Sequence, residues 1–176
     1  MMLMGISASA ASTLFGGATM GPGYVVLESS TAVPFSGVRF DDASGTTFGD
    51  LATLSTDYNV TDDDCGGGSP RVQIQVDTDG DNVSNGNVFV AIGPSPSFTD
   101  CAAGWQSTGN LIGNNDAGRY DFGQFGGSAF TTYSNAPASV VNGTVLNISV
   151  VVDGSWSAAA TNGDGEQTVW VDNTNI

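Results

Sequence analysis

Three aspartates alternate at Asp77, Asp79 and Asp81 in the stretch VDTDGDNVSNGN, with Asn82, Asn85 and Asn87 close behind. Carboxylate and amide oxygens are what calcium binds, which makes this trio the first choice for a metal site. An EF-hand loop places a glycine at its sixth position and a bidentate acid at its twelfth. Counting from Asp77, the sixth residue is Asn82, the twelfth is Val88, and the glycine arrives early as Gly80. The stretch is therefore no EF-hand. It reads as a polar β-hairpin tip, either a solvated turn or a weak calcium site in which a cation offsets the repulsion of three like charges.

Other candidate residues divide in the same way. Asp62, Asp63 and Asp64 are consecutive, so in extended chain their side chains alternate in direction and at most two share an ion. Trp105, in CAAGWQSTGN, and Trp156, in DGSWSAAATNGDG, lie beside loops rich in Asn, Gln and Asp. An indole next to such groups stacks and hydrogen-bonds sugar rings, which makes both residues candidate carbohydrate contacts; the plainer reading has them cover the edge of a small core. Tyr120, Phe122, Phe125, Phe130 and Tyr133 cluster in RYDFGQFGGSAFTTY and read as core, with Tyr120 and Phe122 on one strand face. Cys65 and Cys101 form an even pair without a CxxC motif or a histidine, so a disulfide is expected.

Composition narrows the chemistry further. The 176 residues hold 18 acidic side chains against three basic ones, Arg39, Arg71 and Arg119, for a net charge of −15, with no Lys and no His. Such a surface repels phosphate backbones and anionic membranes, which excludes nucleic acid as a partner. Without His or Lys there is no Ser-His or Cys-His pair, no Ser-Lys pair and no Schiff base. A pair of carboxylates could still run glycoside hydrolysis, but an Asp-rich surface always contains pairs, so the expectation is that the chain is not an enzyme.

The elements that must position these residues are strands. RVQIQV sets Val72, Ile74 and Val76 on one face against Gln73 and Gln75 on the other, and NVFVAIG, GYVVLES, SGVRF, TVLNISVVVDG and QTVWVDN continue the pattern between Gly, Asn, Asp and Pro clusters. DLATLSTDY reads as an irregular strand, and at most one short helix is expected near 134–141, with Asn135 as cap and Pro137 in the first turn. Many short strands around one core predict an all-β, two-sheet antiparallel β-sandwich of jelly-roll type.

The start, MMLMGISASAASTLFGG, carries Ala8-Ser9-Ala10, a pattern that a signal peptidase cuts. Residues 1–10 are read as the remnant of an export signal, 11–23 as an N-terminal arm and 24–176 as one sandwich domain. Four sequons, at Asn59, Asn82, Asn142 and Asn147, permit glycosylation. No stretch reaches the 18 or so apolar residues of a membrane span.

Two resemblances rest on these segments. EQTVWVDNTNI and GPGYVVLESS are similar to the last and first strands of jelly-roll carbohydrate-binding modules; by that resemblance Glu28 and Asp172 share a structural calcium, the second choice of metal site. TDYNVTDDDCGGGSPRVQIQVDTDGD, GPSPSFTDC, TGNLIG and DGEQTV together resemble a domain that recurs in secreted bacterial and archaeal proteins of no known activity. The expectation is a secreted or cell-surface β-sandwich with a structural or adhesive, non-enzymatic role, for which calcium is the candidate stabilising cofactor. The alternatives are a carbohydrate-binding module and a filament or surface-layer subunit that binds copies of itself through its arm.

Overall fold

A computed structural model describes residues 12–153 and 166–176. The export-signal reading of residues 1–10, and Trp156, lie outside the described residues. In chain order the strands are β1 Ser12–Gly16, β2 Thr19–Met20, β3 Val25–Ser29, β4 Phe35–Phe40, β5 Ser55–Asp62, β6 Arg71–Asp77, β7 Gly86–Ala91, β8 Gln106–Ser107, β9 Tyr120–Asp121, β10 Thr144–Asp153 and β11 Gln167–Asn175. One helical turn, α1, spans Ala138–Val141.

The strands form a six-stranded sheet ordered β1-β4-β10-β6-β7-β9 and a five-stranded sheet ordered β2-β3-β11-β5-β8, and the pairings between them are antiparallel. If β3 to β8, β10 and β11 are counted as the eight strands of a jelly roll, one sheet holds the first, eighth, third and sixth, and the other the second, seventh, fourth and fifth. That is jelly-roll winding, as expected from the sequence.

Alternation decides the core. Val72, Ile74 and Val76 of β6 meet Val88 and Val90 of β7 and Ile148, Val150 and Val152 of β10, all at most 1% exposed, while Gln73 and Gln75 point away. Val169 and Val171 of β11 and Leu27 of β3 close the core from the other sheet. Burying each such side chain stabilises by about 1.5–3 kcal/mol.

Several local expectations change. Residues 12–20 are no free arm: β1 pairs with β4 at the edge of one sheet, β2 pairs with β3 at the edge of the other, and the segment crosses between them. Gly16 makes that crossing possible, since it adopts φ +63° and a Cβ there would lie 2.1 Å from the Phe35 carbonyl oxygen. The chain thus covers its own edges with the segment that the filament reading needs for a neighbour. DLATLSTDY becomes a 3₁₀ turn at Phe48–Asp50, an extended run that buries Leu51 and Leu54, and then β5. The short helix is present, but its N-cap is Pro137; Asn135 closes a preceding 3₁₀ turn and donates its amide to Thr131 Oγ1 at 2.6 Å.

The expected disulfide joins Cys65 to Cys101, with Cα atoms 5.5 Å apart. Asp64 Oδ1 accepts the backbone N–H of both cysteines, each at 2.6 Å, so one carboxylate holds the two bridged loops in register.

Candidate functional site

The outer face of the five-stranded sheet carries an aromatic cluster. Because Val169 and Val171 point into the core, period two throws Trp170 outward with Thr168 and Asp172. Register sets Trp170 opposite Val26 of β3 on one side and Asn59 of β5 on the other. The pairing of Asp57 with Ser107 and of Tyr58 with Gln106, continued by one residue, brings Trp105 beside Asn59. Asn59 therefore sits between two tryptophans that are 65 residues apart in the chain.

Tyr24, just before β3, lies flat on Trp170 with ring centroids 4.6 Å apart and planes 19° apart. Trp105 meets Tyr24 edge-on at 5.9 Å and Trp170 at a tilt, 6.4 Å away. Such ring pairs add about 0.5–1.5 kcal/mol beyond area burial, which holds the cluster together on a solvent-facing sheet. Gly21 accommodates it: a Cβ there would approach the Tyr24 ring to 2.5 Å. Trp105 nevertheless remains 45% exposed.

Polar residues border this stripe on both sides. Across the sheet, Asp172 faces Asp57, which faces Ser107, and one step the other way Glu28 faces Thr168. Asn173 donates its side-chain amide to Asp57 Oδ2 at 2.9 Å and its backbone N–H to Asp172 Oδ1 at 2.8 Å. The arrangement offers apolar ring faces for stacking and oxygen acceptors for hydroxyl donors. Its carboxylates disfavour an anionic ligand.

The hairpin between β6 and β7 holds Asp77, Asp79 and Asp81 at its tip, and one carboxylate oxygen of each lies within 4.8 Å of the others. Asp77 is almost fully buried and works as an anchor: Oδ1 accepts the backbone N–H of Gly80 at 2.7 Å and of Asp79 at 3.1 Å, and Oδ2 that of Asn82 at 2.8 Å. These bonds, Gly80 foremost, hold its carboxyl below the usual carboxylate range despite desolvation. Asp79 and Asp81 are exposed. Asp81 Oδ1 accepts from the Val83 N–H and Asp79 Oδ2 from the Asn85 amide, leaving each with a second oxygen for an ion. Carboxylates, amides and solvent suit calcium, whose six to eight oxygens would come partly from water here.

The second metal choice does not assemble. Glu28 is opposite Thr168, four residues along β11 from Asp172, roughly 13 Å away at strand rise. Asp64 groups with Cys65 and Cys101, but both sulfurs are spent in the disulfide. Of the sequons, Asn147 is 7% exposed and donates its amide to Gln75 Oε1, so it is closed to modification.

Of the two tryptophans singled out as sugar contacts, Trp105 is surface-exposed and belongs to this cluster. Tyr24 and Trp170 were missed. The signal was present in VWVDN, where valines on either side of Trp170 imply that it points away from them, but nothing in the sequence said which residues flank it. Phe130 also departs from expectation: Tyr120 and Phe122 are fully buried, stacked at 5.6 Å, while Phe130 is 62% exposed.

No family model and no curated protein matches the chain. Among solved structures it is similar to the crystal structure of an agarase, at 12% identity and a TM-score of 0.48, over 98% of this chain and 23% of that one. The chain thus spans about a quarter of the agarase's length. The expectation that the chain is not an enzyme is withdrawn: a solved structure to which it is similar is that of an agarase. That expectation rested on the missing His and Lys, which removes imidazole and amine chemistry, and on the low specificity of acid pairs in an Asp-rich chain, which leaves carboxylate chemistry open. At this similarity the neighbour assigns no reaction to the chain.

Proposed function

We propose that this chain is an extracellular β-sandwich that binds neutral glycans on the outer face of its five-stranded sheet and serves as an adhesive, carbohydrate-binding domain. The observation that carries the reading is the Tyr24–Trp170–Trp105 cluster, with Trp105 exposed and acceptors on both flanks. Aromatic faces pack against the C–H faces of sugar rings, and carboxylate and amide oxygens take their hydroxyl protons. The acids at Glu28, Asp57 and Asp172 select against sulfated or uronic chains. Secretion is supported by the disulfide and the Ala8-Ser9-Ala10 pattern; among the described residues no helix is long and apolar enough to cross a membrane. Calcium at the Asp77–Asp79–Asp81 tip has a stabilising role in this reading, remote from the sugar.

The test is a titration with neutral oligosaccharides (cello-, laminari-, galacto- and agaro-series), read by tryptophan fluorescence and calorimetry. Trp105→Ala is expected to weaken binding by up to about tenfold, the upper end of one stacking contact, with the fold retained because the side chain is already half in solvent. Silence across the panel, or unchanged affinity in Trp105→Ala, refutes the proposal.

A further inference from the structure

The opposite face of the sandwich holds a pocket of about 120 Å³ over β6, β7 and β9, at the disulfide end of the six-stranded sheet. Alternation builds its floor. Val88, Val90, Tyr120 and Phe122 are buried inward, so Phe89 and Asp121, which face each other across β7 and β9, point outward together. Gly67 and Gly68 of the bridged loop form one wall, Arg71 and Arg119 line the base, and Phe130 stands at the rim.

Phe130 is held there. Its neighbour Thr131 exchanges two backbone hydrogen bonds with Tyr120, at 2.7 and 3.0 Å, and Phe130 itself adopts φ +50°. An unbranched aromatic in the left-handed region, fixed in place and 62% exposed, makes a stacking surface and contributes little to the core.

Charge and size define what fits. Arg119 is matched by Asp116 at 2.6 Å and the Ala91 carbonyl at 2.9 Å, with its guanidinium 4.7 Å over the Phe98 ring. Arg71 is matched by Asp153 at 3.0 Å and the Gly68 carbonyl at 2.9 Å, and lies 5.4 Å over Phe89. Both positive charges are thus met by carboxylates, and Asp121 adds a further negative charge, so the pocket does not select an anion. At about 120 Å³ open to the centres of water-sized groups, the cavity takes several waters or a single six-membered ring.

We propose that this pocket is a second saccharide site that takes one neutral pyranose at a glycan end, its apolar face on Phe130 and Phe89 and its hydroxyls toward Asp121 and the Gly68 edge. This inference rests on the glycan reading for its ligand class, and on separate residues for its site. With binding surfaces on opposite sheets, one molecule bridges two glycan chains, and the adhesive role becomes cross-linking.

The two sites are separable in a Trp156→Phe background, in which the remaining tryptophans, Trp105 and Trp170, lie on the other sheet. The experiment titrates this intact variant with the same neutral oligosaccharides and follows two signals, tryptophan fluorescence for the first site and the amide shifts of Gly67, Gly68 and Asp121 for the second. Phe130→Ala is expected to weaken the amide response about tenfold and leave fluorescence unchanged, while Trp105→Ala does the reverse. Phe130→Leu, which keeps bulk without a ring, is expected to behave like Phe130→Ala. Amides that stay still while fluorescence responds overturn the second site alone. Amides that respond while fluorescence is silent overturn the first site and uphold the second. Silence of both, or amide shifts in Phe130→Ala equal to wild type, overturns the second site.

Discussion

Removal of the Cys65–Cys101 bridge tests how the fold is held, with a magnitude set by the chain. The bond spans 36 residues, and in the chain-entropy treatment closing such a loop removes about 13 cal/mol/K from the unfolded state, or about 4 kcal/mol at 25 °C. The native state has other means of holding the two loops together. Asp64 Oδ1 accepts both cysteine N–H groups, and Gly67 N–H donates to the Phe98 carbonyl at 3.0 Å. A Cys65→Ala/Cys101→Ala double variant therefore keeps its fold, and the loss falls on the unfolded ensemble. For a domain of this size 1 kcal/mol moves the midpoint by about 2–4 °C, so scanning calorimetry is expected to show a drop of roughly 8–16 °C. The urea m-value is expected to rise, since the unlinked chain exposes more surface. A drop under about 3 °C, with m unchanged, refutes the entropic account. Because Gly67 and Gly68 wall the second pocket, the same variant links stability to that site: at temperatures where it is folded, its amide response to saccharide is expected to persist.

Three further outcomes are expected. At a hundredfold excess over its dissociation constant, calcium stabilises by about 2.7 kcal/mol, raising the midpoint by several degrees in a comparison with chelator at fixed ionic strength. Asp79→Asn abolishes that shift, and no shift in the wild type removes calcium from the account. Burial pushes the Tyr120 hydroxyl well above the usual phenol range and raises Tyr58 and Tyr133 too; a group raised in the folded state keeps its contribution below the unfolded value and loses it above. Stability is therefore expected to be flat through neutrality and to fall as pH rises beyond about 10, and Tyr120→Phe is expected to reduce that slope while losing about 1 kcal/mol at neutral pH with its bond to the Leu111 carbonyl. Ser29 and Ser36 are fully buried with hydroxyls that have no partner among the described residues, so Ser36→Ala is expected to be neutral or stabilising by about 1 kcal/mol in chemical unfolding; a loss above 1 kcal/mol counts against an unsatisfied hydroxyl.

Much of the fold was legible along the chain because its signals are local. Period-two alternation in RVQIQV and VWVDN states which side chains leave the core, the two cysteines had only each other to pair with, and the crowding of Asp77, Asp79 and Asp81 with Gly80 already marked a hairpin tip. What alternation does not state is which strands become neighbours, because pairing is set by long-range packing and costs nothing in the local pattern. Only the tertiary structure put β11 between β3 and β5, and with it Tyr24, Asn59, Trp105 and Trp170 on one face. It also separated Glu28 from Asp172 along the strands that were expected to join them, and folded residues 12–20 back onto the chain's own sheet edges. Phe130 shows the limit most clearly. Its composition placed it with the core aromatics, but the backbone pairing of Thr131 with Tyr120, across a loop, turns it outward over a pocket. The residue types and their alternation determined a disulfide-bonded acidic sandwich; the order in which distant strands pair decided where its aromatic cluster and its pocket lie.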